Sequence, residues 1–354
     1  MNKEIIACFP QWGSYSCAFR YLFENGFDVK YMTPPPITKH TLEVGSLNSP
    51  DFVCVPFKYC LGCHIEALEN GANCLMQIYG SCRLNFYGEL EEKILRDLGY
   101  DFKFFNMAEI NFRSPKSIIQ NLKIVNPNLS LIKVAKAIPT TIDIIKTIDK
   151  IEDFIRKNAG FEIRENGMED LFFEFKKKLD ETTNSKEYKK LKKEYLKKIM
   201  SVEINKPKHP IRVGLVGDYY TVQEPYSNYF MEKELEKMHI EVHREMNLTN
   251  SIIKSKYKES RKYGKKYVKF NIGATANYTV AEVLKYAKNG LDGIIQVKSF
   301  GCTPELNAQT VLQNISKDYK VPILYFSFDS QTSETGIKTR LEAFYDMLST
   351  KKKG

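Results

Sequence analysis

Short apolar runs alternate with amphipathic stretches along most of the chain, and that alternation predicts strands separated by helices. Residues 4–9 read as an apolar strand, 14–25 as a helix stopped by Gly26, and 28–32 as a second strand. Pro34-Pro35-Pro36 forces an extended link, because each ring fixes its own φ and restricts the residue before it. A helix starts near 38–42. Residues 51–55 (Asp-Phe-Val-Cys-Val) read as a compact strand, 61–70 as a helix closed by Gly71, and 74–79 as a strand ended by Gly80. Helix 89–98, closed by Gly99, leads to a strand over 102–106. Strands spaced by helices of this length predict a parallel sheet.

The pattern changes after residue 113. Ile118, Leu122, Ile124, Leu131, Val134, Ile138, Ile142, Ile145 and Ile148 recur at helical spacing, and a Lys/Glu-rich run between Glu165 and Pro207 reads as one long exposed helix. A second α/β pattern opens at 211–217 with a strand. It continues with an amphipathic helix over 227–238, a strand over 240–243, a helix over 280–289 stopped by Gly290, and a strand over 293–297. Ser299-Phe300-Gly301-Cys302 follows, then Thr303 as a helix N-cap with Pro304 in the first turn, a strand over 322–328 and a helix over 338–348. The expected organisation is an α/β domain over 1–113, a helical insert over 114–207 and a second α/β domain over 208–354.

Composition adds limits. An apolar fraction of 43% with 27% charged residues is that of a globular chain, not a disordered one. No run approaches the roughly 20 apolar residues that span a bilayer, and the N-terminus turns polar by Gln11, too soon for a secretory leader. A cytoplasmic, membrane-free protein is expected. The net charge of +10 raises the possibility of a polyanionic partner. However, the basic runs at 176–198 and 254–269 are helically spaced, with acids interspersed, and read as solvated faces. No zinc-finger spacing, RNA-recognition signature or basic-zipper heptad accompanies them, so nucleic acid is not an expected partner.

The cysteines are the chemical signal. Cys8 and Cys17 lie near the start, Cys54, Cys60, Cys63, Cys74 and Cys82 crowd into one segment, and Cys302 stands alone. In a reducing compartment such crowding points to a metal rather than to disulfides. In parallel sheets ligands gather at the carboxyl ends of strands, which is where the predicted elements put Cys54, Cys82 and Cys302. Thiolates suit zinc or an iron–sulfur cluster. Structural zinc usually takes two close pairs, whereas Cys60-Leu61-Gly62-Cys63 is one pair, with His64 beside it as a further ligand or a polar helix cap. A thioredoxin-type redox pair at Cys60 and Cys63 leaves the other thiols unexplained. Cys8 and Cys17 read as small apolar core residues.

Several segments in order carry a resemblance. They are Phe9-Pro10-Gln11-Trp12-Gly13, Pro34-Pro35-Pro36-Ile37-Thr38-Lys39, the stretch from Ser49 to Lys58, and Gly80-Ser81-Cys82-Arg83-Leu84-Asn85. Gly214-Leu215-Val216-Gly217-Asp218, Glu224-Pro225, Phe300-Gly301-Cys302-Thr303-Pro304-Glu305 and Asp329-Ser330-Gln331-Thr332 complete them. Together they resemble the 2-hydroxyacyl-CoA dehydratase/benzoyl-CoA reductase superfamily, in its activator-related branch, to which the double-cubane cluster proteins are also related.

The resemblance implies two Rossmann-like domains with parallel sheets and an iron–sulfur cluster in the cleft between them. Its ligands would be the cysteines corresponding to Cys54, Cys82 and Cys302. It further implies an actin/Hsp70-type ATPase activator, carrying its own cluster, that delivers low-potential electrons. The expected activity is an ATP-dependent reduction, or a 2-hydroxyacyl-CoA dehydratase-like reaction, on a small molecule or acyl-CoA. The alternative is a non-catalytic low-potential electron carrier or cluster scaffold. Pairing with a second copy or with a homologous subunit is expected. Cys60, Cys63 and Cys74 exceed the simpler pattern, and three plus three thiols would suit a double-cubane cluster as well as a single 4Fe–4S cubane with bystander thiols. Among polar residues, Arg83 and Lys58 are candidates to hold the cluster or offset its charge. Glu305 is a candidate proton donor, although a carboxylate in a first helical turn also suits the helix dipole.

Overall fold

Among the described residues, eight short strands form two sheets in which every pairing is parallel, as the alternating pattern predicts. The computed structural model describes residues 4–77, 82, 84–107, 114–254, 256–273 and 275–353. The first sheet contains β1 (Ile6–Cys8), β2 (Lys30–Met32), β3 (Cys74–Gln77) and β4 (Lys103–Asn106), in the order β2-β1-β3-β4. The second contains β5 (Ile211–Gly217), β6 (Ile240–His243), β7 (Gly293–Ser299) and β8 (Ile323–Phe328), in the order β6-β5-β7-β8. The fold is α/β with two Rossmann-like sheets of the same strand order. Cys8 pairs with Leu75 in the first, and Val213 with Gly293 in the second.

The chain forms two compact units, Met1–Ile145 with Lys176–Leu191, and Lys146–Phe175 with Lys192–Gly354. In the first, α1 (Ser16–Leu22), α2 (Lys39–Leu47), α3 (Val55–Glu69) and α4 (Leu84–Asp97) connect the strands, and α5 (Pro115–Val125) follows β4. Their core joins Cys8, Phe57, Leu61, Ile65, Leu75 and Leu95. Two glycines let α2 and α3 cross in backbone contact. A Cβ on Gly45 would lie 1.8 Å from the Lys58 carbonyl oxygen, and one on Gly62 would lie 2.0 Å from that of Thr41. The helices of 114–207 are divided between the units, because α6 (Leu131–Asn158) and α7 (Gly167–Leu179) each run across a boundary and α8 (Ser185–Met200) crosses another.

In the second unit α9 (Tyr219–Gln223), α10 (Met231–Lys237), α11 (Lys256–Tyr263), α12 (Ala276–Lys288), α13 (Thr303–Tyr319) and α14 (Glu334–Lys353) complete the chain. Successive strand residues feed opposite layers. Val213, Leu215, Ile295 and Val297 join one core, while Val216 and Ile294 join the other. Both faces are therefore covered, which is why β5 and β7 read as continuous apolar runs rather than alternating ones. No helix of the described residues is long and apolar enough to cross a membrane.

Several elements differ from the sequence reading. The predicted strand over 51–55 is a turn that leads into α3. Phe52 is 96% exposed, and Pro56 sits in the first helical turn, where its missing N–H costs nothing. The predicted helix over 14–25 ends at Leu22 and passes into a π-helical turn, Phe23–Phe27, that contains Gly26 and closes on the left-handed Asp28. The Lys/Glu-rich run is two helices. Asn184 breaks it, its side chain accepting from the N–H groups of Lys186 and Glu187, and Phe175, Tyr188, Tyr195 and Ile199 are buried rather than solvated. The expected helix over 227–238 begins only at Met231, after Tyr229 and Phe230 take left-handed backbone. Cys302, not Thr303, is the N-cap of α13.

Candidate functional site

Burial sorts the eight thiols into two groups. Cys8, Cys17, Cys60, Cys63 and Cys74 are buried, whereas Cys54, Cys82 and Cys302 are half-buried. The second group shares a local setting. Cys54 is the N-cap of α3 and Cys302 that of α13, each followed two residues later by a proline in the first turn. Their carbonyls start the helices, accepting from the N–H groups of Phe57 at 3.0 Å and Leu306 at 3.1 Å. Cys82 lies two residues before α4. All three thiols therefore stand at helix N-termini, where the partial positive charge of the helix and its unpaired N–H groups favour an anion such as a thiolate.

In the second unit Cys302 belongs to a polar cluster at the carboxyl edge of the sheet. The strand order reverses between β5 and β7, so the crevice at their ends is the expected ligand position of such a sheet. Gly217 ends β5 with φ +150°, and a Cβ there would lie 1.7 Å from the Val297 carbonyl oxygen. That contact needs glycine. It brings Asp218 close enough to bind the far loop, and its buried carboxylate accepts from the Ser299 N–H at 2.6 Å and the Thr221 N–H at 2.9 Å. Burial pushes its pKa up, and the two backbone N–H groups oppose that.

Lys298, 3% exposed, comes next on β7, with Nζ 3.4 Å from the Phe300 carbonyl oxygen. Burial lowers its pKa, against the pull of a Cys302 thiolate and the Asp218 and Glu305 carboxylates. Glu305 itself is fully buried, in the first turn of α13. It accepts from the hydroxyls of Thr275 at 2.7 Å and Thr279 at 3.0 Å and from Gln296 Nε2 at 2.9 Å. Burial outweighs those bonds and pushes its carboxyl up to about 7.

The first unit repeats part of this plan. Gln77, at the end of β3, donates to Glu91 of α4 at 2.7 Å, as Gln296 of β7 donates to Glu305 of α13. Glu91 is also fully buried, with its pKa raised by burial and opposed by His64, whose Nε2 lies 3.6 Å away. His64 does not open a helix as expected. It is 1% exposed in the middle of α3 and serves this buried pair. Cys60 and Cys63 lie on α3 at 5% and 1% exposure, and Cys74 opens β3 at 1%, where burial pushes its thiol up to about 11. Cys8 and Cys17 are pushed up to about 12 for the same reason. Lys58 is half-buried on α3, one turn after Cys54. Arg83 lies outside the described residues.

Sequence reasoning missed Asp218 and Lys298 as site residues, and the Gln–Glu pairs altogether. Asp218 had a visible signal, an acid directly after a strand and glycine. Lys298 reads only as the polar end of a strand, because its burial comes from residues distant in sequence. Among the described residues, no three side chains of Cys, His, Asp or Glu gather into a set that would hold a metal ion.

Residues 178–348 match the family described as 2-hydroxyglutaryl-CoA dehydratase, D-component. That stretch of the chain is similar to the 2-hydroxyacyl-CoA dehydratase superfamily. The match takes in the whole second sheet with Asp218, Lys298, Cys302 and Glu305, while Cys54 and Cys82 lie before it. Members of this dehydratase-type family are generally iron–sulfur proteins. No curated protein matches the chain. The donor chemistry suits such a superfamily member: three partly accessible thiols at helix N-termini are soft ligands in settings that stabilise their anionic form.

Proposed function

We propose that this protein holds one iron–sulfur cluster through Cys54, Cys82 and Cys302, accepts low-potential electrons from an ATP-hydrolysing activator of the actin/Hsp70 type, and uses them to reduce a small molecule or an acyl-CoA. The observation that carries this reading is the sorting of the thiols: the three accessible cysteines all stand at helix N-termini, whereas Cys17, in the first turn of α1, is buried. The five packed thiols favour a single 4Fe–4S cubane over a double one. When bound, such a cluster supplies one-electron transfer at low potential.

The chain's own residues set the conditions for it. The N-terminal N–H groups of α3 and α13 favour thiolate at Cys54 and Cys302. Lys298 places a positive charge beside Cys302, offsetting the negative charge that accumulates on reduction. Asp218 fixes the Ser299 amide and with it the turn that presents Cys302. Glu305, ionising near 7, holds a proton three residues along the same helix turn. Three protein ligands would leave one iron open to a substrate, which favours an enzyme over a pure electron carrier. A second copy or a homologous subunit is the proposed assembly partner.

The test is anaerobic reconstitution followed by iron and sulfide analysis and EPR. A single cubane gives about four irons per chain, abolished in Cys54→Ser, Cys82→Ser and Cys302→Ser and retained in Cys60→Ser, Cys63→Ser and Cys74→Ser. Iron content indifferent to the first three variants would overturn the assignment. Twice the iron, lost in all six, would replace it with the double cubane. Turnover of acyl-CoA thioesters with activator and ATP separates the enzyme from the carrier.

A further inference from the structure

The basic run at 254–269 is left unused by this reading, and it folds around a cavity. A half-open concavity of about 240 Å³ lies between the end of α11, the segment that follows it and the start of α12. Its floor is buried and small or polar: Ser260 at 3% exposure, Asn277 at 6%, and Gly264, whose missing side chain makes room against Val280. Arg261, Lys262, Lys265 and Lys269 supply the charged part of the lining, and among the described residues no acid lines it. Composition alone does not produce that, because the chain carries 43 acids against 53 bases.

Neighbouring lysines are neutralised, Lys256 by Glu245 at 2.9 Å and Lys266 by Asp318 at 3.7 Å. None of the ion pairs among the described residues uses the four that line the cavity. Four like charges around one concavity raise its positive potential, which an anion seated among them would lower. Phe270, 82% exposed at the rim, offers an aromatic face beside the cations.

We propose that this cavity is a binding site for a phosphoanhydride, the pyrophosphate group of a nucleotide-type ligand. Arg261 and the three lysines would hold the phosphates, and Phe270 would stack the attached base. The volume decides the class, because it falls below the ~300–1,000 Å³ that encloses a whole drug-sized ligand and so suits the anionic portion of one. A single concavity, rather than a track of charge, favours a small ligand over a nucleic acid. The site stands apart from the cluster proposal, and its test does not use the cluster.

Isothermal titration of the full chain with inorganic pyrophosphate at low salt is the direct measurement. Binding weakened about tenfold in Arg261→Gln/Lys265→Gln, and unchanged in Lys189→Gln/Lys193→Gln, supports the site. The control pair removes the same charge from the exposed face of α8, so an equal loss in both would reveal only general attraction and overturn the proposal, as would no binding at all. Competition then identifies the source. Displacement of pyrophosphate by ADP at least as effective as by CoA names a free nucleotide, displacement by CoA at about tenfold or more lower concentration than ADP names the tail of a thioester, and displacement by neither overturns the assignment. Phe270→Ala is expected to weaken the organic ligand and leave pyrophosphate unaffected.

Discussion

Glu305→Gln tests a fully buried carboxyl of the candidate site. In the unfolded chain the group ionises near its ordinary 4.5, and in the native one near 7. Below pH 4.5 both states carry the proton, so the group contributes nothing to the pH dependence. As the pH rises toward 7 the unfolded chain releases its proton first and stability falls, because the native state binds more protons. Above 7 both are ionised and the folded protein carries the whole burial penalty. Moving a carboxyl from 4.5 to about 7 corresponds to about 3 kcal/mol at ~1.4 kcal/mol per pH unit.

Glutamine keeps the shape and never ionises. Its oxygen can accept from Thr275 and Thr279, and its amide can donate to the Gln296 Oε1, which is buried without a partner, once the Gln296 amide rotates. Urea unfolding of the cluster-free protein from pH 5 to 9 should therefore show the variant gaining on wild type as the pH rises, up to about 3 kcal/mol above pH 7. A difference that stays flat across this range, or a variant less stable at pH 8, would refute the reasoning.

Three further perturbations follow from the same structure. Gly62→Ala drives a methyl into the Thr41 carbonyl and should destabilise the first unit by about 3 kcal/mol, since backbone cannot swing aside; an unchanged melting midpoint would contradict this. Arg20 is buried against Asp180 at 3.1 Å, the Leu179 carbonyl at 2.7 Å and Glu24. Arg20→Met strands those acceptors and should cost ~3–5 kcal/mol, read by thermal unfolding, with a loss under ~1 kcal/mol counting against the contact. Lys298→Met removes a cation that interacts with Cys302 and should make a bound cluster harder to reduce, shifting its potential negative in an EPR-monitored titration; a positive shift would exclude the charge-offset role.

Where local pattern and burial coincide, the sequence was readable. The strands from β5 to β8 stand where their apolar runs put them, most plainly the central β5 and β7, which are covered on both faces. Phe52-Val53-Cys54-Val55 misleads for the opposite reason. Its aromatic and β-branched residues suit a strand, but nothing covers Phe52, and Pro56 starts a helix instead. That misreading alters the chemistry, since a thiol at a helix N-terminus feels a dipole that a strand end lacks. The lysine-rich run hides its own core, as Tyr188 and Tyr195 are single aromatic residues among many charges. The Gln–Glu pairs and buried Lys298 are products of tertiary packing and leave no trace in local spacing.

The interleaving of the two units has a consequence for how the protein is made. The polypeptide passes from one to the other at 145/146, again at 175/176 and a third time at 191/192. On the ribosome, the first unit lacks Asp180, the anchor of Arg20, until translation has already produced the portion 146–175 that belongs to the second. Early folding therefore proceeds with an Arg20 anchor missing and a stretch of foreign chain looped out. No single cleavage of the gene yields two whole pieces, and a freestanding version of either unit requires rejoining segments that the natural order keeps apart.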